Sequence, residues 1–193
     1  MEMERLVNEI PVLHTKNYML RGVSADDAPR LFDFLSDKTT MRFITPKPVE
    51  TEGEVVALIN QYQSRFLEGK EIPWVIVGKE TGDIIGQFRL HKMNNWHKKA
   101  EMGAVIHESY QHKGVMTEIM PVILSFVFES LQLNRLVGDI FSGNVGSRKL
   151  LEKYGFRREG VLRQTDFDGE VYHDTVVYSM LRNEYVSKVF GDL

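Results

Sequence analysis

The stretch Ala104-Val-Ile-His-Glu-Ser-Tyr-Gln-His-Lys-Gly-Val-Met-Thr-Glu118 carries the clearest capacity for chemistry. It reads as the end of a strand (Ala104, Val105, Ile106), a polar loop from Gln111 to Gly114, and the start of a helix. The first amides of a helix have no acceptor within it, and the helix dipole adds positive charge there. Loop amides at His112, Lys113 and Gly114, joined by those of Val115, Met116 and Thr117 entering the helix, can converge on a phosphate. Gly114 lets backbone approach an anion closely, and Lys113 adds a charge. Many strand–helix loops contain one glycine and bind nothing, so this loop does not define a ligand by itself.

Other chemistries are excluded by what is missing or misplaced. The chain has no cysteine, which rules out disulfides, thiolate metal sites, iron–sulfur clusters and a cysteine nucleophile. The histidines His14, His91, His97, His107, His112 and His173 form no i, i+4 pair, and His107-Glu108 lacks the second histidine of a zincin helix. No metal is expected. A Gly-x-Ser-x-Gly elbow, a Gly-x-Gly-x-x-Gly turn and a Gly-x4-Gly-Lys loop are all absent. Asp166, Asp168, Glu170 and Asp174 gather at a hairpin, where charge is ordinarily solvated. Asn144 stands where an asparagine caps a helix, and Ser147 lies in that helix's first turn.

These residues need a scaffold, and the hydrophobic pattern supplies one. Tyr18–Val23 reads as a strand. Ser24 and Asp27 cap a helix with an apolar stripe at Ala28, Leu31, Phe32 and Leu35. Residues 37–50, with Pro46 and Pro48, are not expected to form regular helix. Thr51 and Glu54 cap a second helix carrying Val55, Leu58, Ile59, Tyr62 and Phe66. A hairpin follows, Trp74–Val77 and Ile84–His91 around Thr81-Gly82-Asp83, then a strand at Ala100–Ile106. A long helix is predicted from Val115 to Leu131, with Pro121 inside it. A strand at Arg135–Phe141, a helix through Leu150 and Tyr154 closed by Gly155, and a hairpin of Val161–Thr165 with Tyr172–Met180 complete the order. The order β-α-α-β-β-β-α-β-α-β-β predicts an α+β fold with one mixed central sheet of about seven strands and about four helices. Trp74 and Trp96 are expected to pack in the core or on a strand.

Composition agrees with one globular domain spanning 1–193, its core about 17–182. Of 193 residues, 42% are hydrophobic and 26% charged, enough to bury a core. The net charge, 24 − 27 = −3, is too mild to argue for nucleic acid. No apolar run reaches the ~18–20 residues that span a bilayer, so no membrane is expected. Met1–Ile10 mixes Glu2, Glu4, Arg5 and Glu9 with apolar residues and does not read as a signal peptide. A cytoplasmic protein is the expectation.

Gln111-x-x-Gly114-x-Met116 resembles the Gln/Arg-x-x-Gly-x-Gly/Ala loop with which the GNAT superfamily of acyl-CoA-dependent N-acetyltransferases holds the coenzyme A pyrophosphate. Asn144-x-x-Ser147 followed by Tyr154-Gly155-Phe156 is similar to that family's next motif. Glu159-Gly-Val-Leu-Arg-Gln-Thr-Asp-Phe-x-Gly169, Gly114-Val-Met-Thr117 and Leu133-Asn134-Arg135 resemble the branch that contains the ribosomal-protein N-terminal acetyltransferases. The order of elements from Tyr18 to Met180 matches as well, so the likeness covers most of the chain.

The resemblance implies acetyl transfer from acetyl-CoA by direct attack of an amine in a ternary complex. A backbone amide of Met102–Ile106, the strand containing Ala104, Val105 and Ile106, would polarise the thioester carbonyl. Gln111 to Thr117 would hold the pyrophosphate, and Asn144 the pantetheine arm or thioester end. Many relatives protonate the leaving thiolate with a Tyr seven residues after that Asn; here the position is Leu151, and Tyr154 is expected to pack. The branch uses a Ser in that role, which falls on Ser147. Asp166 stands where the branch has a basic Glu, and Glu101 is the rival base. Met116, larger than the usual Gly or Ala, must turn into the core. Thr39, Thr40, Arg42 and Phe43 could touch the acceptor by their place in such a fold. An α-amine titrates near ~7.7–8.0 and a lysine amine near ~10.4, so a weak base suits the former. The first expected acceptor is therefore a protein or peptide N-terminus. A small amine (antibiotic, polyamine or amino acid) and a non-catalytic acyl-CoA-binding module are the alternatives. The branch often pairs, so the resemblance also carries a homodimer as an expectation.

Overall fold

A computed structural model describes residues 9–190 of the chain. Most of Met1–Ile10, and with it the expectation about a signal peptide, lies outside these residues. The strands are β1 (Leu13–His14), β2 (Tyr18–Gly22), β3 (Ile72–Gly78), β4 (Ile84–Asn94), β5 (Lys99–Ile106), β6 (Arg135–Phe141), β7 (Arg157–Phe167) and β8 (Tyr172–Leu181). The helices are α1 (Ala28–Leu35), α2 (Lys38–Met41), α3 (Glu52–Leu67), α4 (Val115–Ser125), α5 (Val145–Lys153) and α6 (Arg182–Phe190).

One sheet carries everything, in the order β1-β2-β3-β4-β5-β6-β8-β7. Every pairing is antiparallel except β5 with β6. A middle strand must be apolar on both faces when helices cover both. β3 meets that demand: Trp74 and Ile76 face the layer of α4, while Val75 and Val77 face α1 and α3. The α+β class therefore holds, with eight strands and six α-helices among the described residues rather than about seven and about four.

The additions have physical reasons. β1 is two residues long and carries no periodicity to read. α2 occupies residues expected to be non-helical, because Pro46 and Pro48 restrict backbone only near themselves. Asp37 starts it by accepting the Thr40 amide at 2.6 Å. α6 follows β8 directly, and its Tyr185 stacks on Phe128 with ring centroids 5.1 Å apart. The predicted long helix changes pitch at Phe126–Ser130, a π-helical turn in which the Leu131 amide donates to the Phe126 carbonyl at 2.9 Å. Trp74 is fully buried as expected, whereas Trp96 is 89% exposed on the β4–β5 turn, where no helix covers it.

The expected caps form. Asp27 accepts the Ser24 amide at 2.9 Å and both Arg21 guanidinium nitrogens at 2.8 and 2.7 Å. Thr51 accepts the Glu54 amide at 3.2 Å. Gly155 closes α5 with φ +86°.

Three strands meet in one polar staple. Arg135 of β6 grips Glu159 of β7 at 2.5 and 2.6 Å, and Ser179 of β8 donates to the same carboxylate. The Arg135 guanidinium, then the Ser179 hydroxyl, hold the Glu159 carboxyl down at about 2. An unfolded glutamate titrates near ~4.3, so the staple contributes stability above that pH and loses it as pH falls towards about 2. Glu159 is 41% exposed, which limits the gain to roughly 1 kcal/mol or less. Glu159→Gln should melt about 2–3 °C below the wild type at pH 7. That gap should shrink by more than half at pH 3, and thermal denaturation at the two pH values checks it.

Candidate active site

The parallel pair β5–β6 holds together only at Lys99↔Arg135, Ala100↔Leu136 and Glu101↔Val137. Beyond it the strands part, leaving one edge of Met102–Ile106 without a neighbouring strand. Alternate amides and carbonyls along that edge face the opening. An extended arm with its own amides can fill such a gap as a strand would.

At the wide end of the opening lies the loop before α4. Gln111 folds back and donates to the Ile106 carbonyl at 2.9 Å. His112 and Gly114 both adopt left-handed backbone, φ +58° and +82°. The amides of His112, Lys113 and Gly114 donate to no acceptor among the described residues. Those of Val115, Met116 and Thr117 belong to the unsatisfied first turn of α4. A side chain at Gly114 would meet nothing within 4 Å, so the cradle above it is open. Lys113 rests over the Tyr110 ring at 5.5 Å, and Met116 packs into the core. The loop thus presents free amides with one cation beside them, an arrangement that fits a pyrophosphate.

α5 forms the other flank. Asn144 spends its carbonyl oxygen capping the Ser147 amide at 3.0 Å, while its amide nitrogen makes no bond among the described residues. The half-buried Ser147 hydroxyl is likewise unengaged among them. Leu151 is buried over Gly138, whose ideal Cβ would lie 3.0 Å from it. Tyr154 is used structurally. Pro121 has no amide hydrogen, so the Thr117 carbonyl one turn earlier lacks its helical donor; the Tyr154 hydroxyl donates there instead. That bond ties α5 to α4 across the opening, and burial pushes the Tyr154 phenol up.

The candidate bases are distributed unequally. Glu101 is ion-paired with Lys92 at 2.7 Å. Asp166 accepts hydroxyls from Thr165, at 3.0 Å, and from Thr175. A bulge between Leu162 and Asp166, with Gln164 at φ +53°, sets that position. Asp139 is a third carboxylate that sequence reasoning missed. Its carboxyl is raised by desolvation, and then by the negative charges of Glu101 and Asp166. The signal was an aspartate inside the otherwise apolar strand Leu-Val-Gly-Asp-Ile-Phe. Asp168 has a structural role. Amides of Val171 and Glu170 and the His173 ring hold it at about 2 in the β7–β8 turn.

On the sheet face under α1, α2 and α3, a cavity of about 510 Å³ abuts Gly103, Ala104 and Val105 of the parted strand. Met41, Val49 and Leu58 are among its apolar walls, while Glu54, Lys47, Gln61, Gln87 and Arg89 are its charged and amide groups. The segment 37–50 and α3 thus line a pocket beside the opening. The residues singled out in that segment do not: Thr39, Thr40, Arg42 and Phe43 are outside the lining. Arg42 stacks on Phe43 at 4.6 Å instead, and Phe43 leans on Phe141. Gln87, Arg89 and His91 were also missed. They alternate with buried Phe88 and Leu90 along β4, a polar stripe on a covered sheet face. Burial, then the Arg89 charge, bring His91 down to about 4, so it is neutral near pH 7. Among the described residues no cluster of three or more His, Asp or Glu side chains could hold a metal ion. No helix among them is long and apolar enough to cross a membrane.

A parted parallel pair, an amide cradle at a helix start and a pocket on the far side define an acyl-CoA-dependent transferase. The chain belongs to the GNAT acetyltransferase family, whose domain model matches residues 17–157. It is an acetyl-CoA-dependent N-acetyltransferase. YdaF of Bacillus subtilis (strain 168), provisionally named a ribosomal N-acetyltransferase, is 34% identical over 174 residues, 78% of this chain and 95% of that one. The fold matches RimL, the ribosomal L7/L12 alpha-N-protein acetyltransferase solved with coenzyme A, with TM-score 0.83 over 90% of this chain and 99% of that one, at 18% identity. It also matches spermidine N-acetyltransferase from Vibrio cholerae, solved with coenzyme A and spermine, with TM-score 0.79 at 23% identity, over 88% and 98%.

Proposed function

We propose that this enzyme acetylates the α-amine of a protein or peptide N-terminus. The observation that carries this is the charge of the pocket beside β5: its walls are mostly apolar, with one carboxylate, Glu54, and one cation, Lys47, besides Arg89, which the buried Glu71 neutralises. A polyamine carries several positive charges and needs several carboxylates to replace its water. A peptide N-terminus carries one amine on an uncharged backbone. The likeness to YdaF, 34% identical, supports the same choice.

In this reading the phosphates of acetyl-CoA rest on the amides from His112 to Thr117 and beside Lys113, with the Gln111 side chain holding the loop closed. The pantetheine arm runs along the free edge of Ala104–Ile106, and the Asn144 amide nitrogen donates to it. An amide of β5 donates to the thioester oxygen as charge develops there. The neutral amine attacks the carbonyl carbon, the C–S bond breaks, and the Ser147 hydroxyl donates to the departing sulfur. The proton lost by the amine passes to the carboxylate group around Asp166, with Asp139 and Glu101 beside it. Burial raises the Asp139 carboxyl above its ordinary value, which suits it to take that proton through a bridging water.

The test is thiol release from acetyl-CoA with peptides of different N-terminal residues, the same peptides N-blocked but bearing a lysine, and spermidine. Mass spectrometry locates the acetyl group. Acetylation is expected at free N-termini only, with kcat/KM rising as pH passes ~7.7–8.0, where an α-amine loses its proton. Ser147→Ala should lower kcat by roughly 10- to 100-fold with KM for acetyl-CoA unchanged. Comparable rates on lysine side chains or spermidine would overturn the proposal.

A further inference from the structure

Gln87 is 3% exposed, and its amide nitrogen has no hydrogen-bond partner among the described residues. A buried polar group left unpaired costs free energy, and native cores keep few. Gln87 lines the pocket and stands opposite Val105 on β5, one of the strand residues that border the opening. Leu35, Met41, Val49 and Val105 line the same pocket, and among the described residues its polar groups, Arg89 and Gln61 included, make no hydrogen bond to the Gln87 amide nitrogen. A half-turn of its terminal torsion lets the amide present either a donor or an acceptor to an occupant.

Resting on the α-amine reading above, we infer that Gln87 is a specificity-determining residue that hydrogen-bonds the first backbone carbonyl of the acceptor peptide. The chemistry selects that group. A peptide N-terminus has a carbonyl oxygen two bonds from the carbon that bears its amine, whereas an alkylamine has no acceptor there. An amine held next to the Gly103–Val105 backbone brings that carbonyl alongside the residue paired with Val105. A site built to hydrogen-bond a substrate group rejects the analogue lacking it, because its own buried polar atom stays unpaired. The nearby cation does not compete for the role, since Arg89 is engaged by Glu71 at 2.7 Å.

The experiment compares wild type with Gln87→Leu on two acceptors: a peptide, and the same peptide with its first peptide bond replaced by a trans-alkene, which removes the carbonyl oxygen without creating a second basic amine. The wild type should favour the normal peptide by about tenfold in kcat/KM, one hydrogen bond's worth. Gln87→Leu should abolish that preference, leave KM for acetyl-CoA unchanged, and melt at or above the wild-type temperature, because it removes an unpaired buried group. A preference that survives Gln87→Leu overturns the assignment and leaves the α-amine reading intact. So does a variant that melts lower while keeping wild-type discrimination, which marks Gln87 as structural. No acetylation of any peptide by the wild type overturns the α-amine reading itself. Gln87→Asn, one methylene shorter, provides a second variant and should retain part of the preference.

Discussion

Gly114→Val should raise KM for acetyl-CoA by about 30- to 100-fold, with a small loss of thermal stability. Gly114 sits at φ +82°, where a β-branched side chain is strained by roughly 1–2 kcal/mol. Its Cβ would meet nothing, so steric collision is not the cause; the strain is in the backbone. The chain can relieve it only by rotating the peptides around residue 114, and those peptides carry the amides that converge at the start of α4. Each amide–phosphate bond contributes about 1.5–3 kcal/mol, because one partner is charged. Misdirecting one or two of them gives the stated loss. Gly82 supplies the control. It has φ +75° and equally open surroundings, but lies in the β3–β4 turn, whose amides are not those that converge before α4. Gly82→Val should cost similar stability and leave KM untouched. Gly114→Asn, which tolerates left-handed backbone, should recover most of the affinity. Steady-state kinetics and calorimetric titration with coenzyme A read all three variants. An unchanged KM in Gly114→Val would remove the loop from the cofactor site.

The residues that could be read in advance are those whose local chemistry is self-contained. Gly114, Gly155, Ser24 with Asp27 and Thr51 with Glu54 each act within a few positions of themselves, and the structure uses them as turns and caps. The alternation of Trp74, Val75, Ile76 and Val77 needed only two covered faces. What escaped depends on partners far along the chain. Asp139 matters through Glu101 and Asp166, which come from other strands. Asp166 owes its place to a bulge at Gln164, and nothing in the spacing marks a bulge at a non-glycine residue. Tyr154 finds its partner at Thr117, which Pro121 leaves short of a donor; the proline was visible, the distant hydroxyl was not. Of segment 37–50, Met41 and Ile44 line the cavity while Arg42 stacks on Phe43 outside it, a difference set by the direction of the α2 turn that spacing along the chain does not show.

Glu71→Ala should destabilise the fold by about 3 kcal/mol, and it should weaken peptide binding without affecting acetyl-CoA. The Glu71 side chain is fully buried, yet it is charged company for two arginines. Arg89 donates to one oxygen at 2.7 Å, and Arg65 stands 3.6 Å from the other, beyond hydrogen-bond reach. Arg89 also lies over the Tyr62 ring at 4.5 Å. Removing the carboxylate leaves a hole and a half-buried guanidinium with no counter-charge. One-sided removal of a buried pair costs about 3–5 kcal/mol, and the low end applies here because Arg89 is 27% exposed and borders the pocket. For a chain of this size that is a melting point lower by roughly 6–12 °C. Free of Glu71, the guanidinium can turn into the pocket to reach water, adding an unpaired positive charge where, on the α-amine proposal, a positively charged N-terminus enters. KM for the peptide then rises while KM for acetyl-CoA stays fixed, because the amide cradle is on the other face of the sheet. Glu71→Gln keeps the volume and one acceptor, so its loss should be about half as large. Replacing both partners, Glu71→Leu with Arg89→Met, should restore the melting point, since two apolar groups leave nothing unpaired. A double variant no more stable than Glu71→Ala would mean that shape, not charge, is what Glu71 contributes.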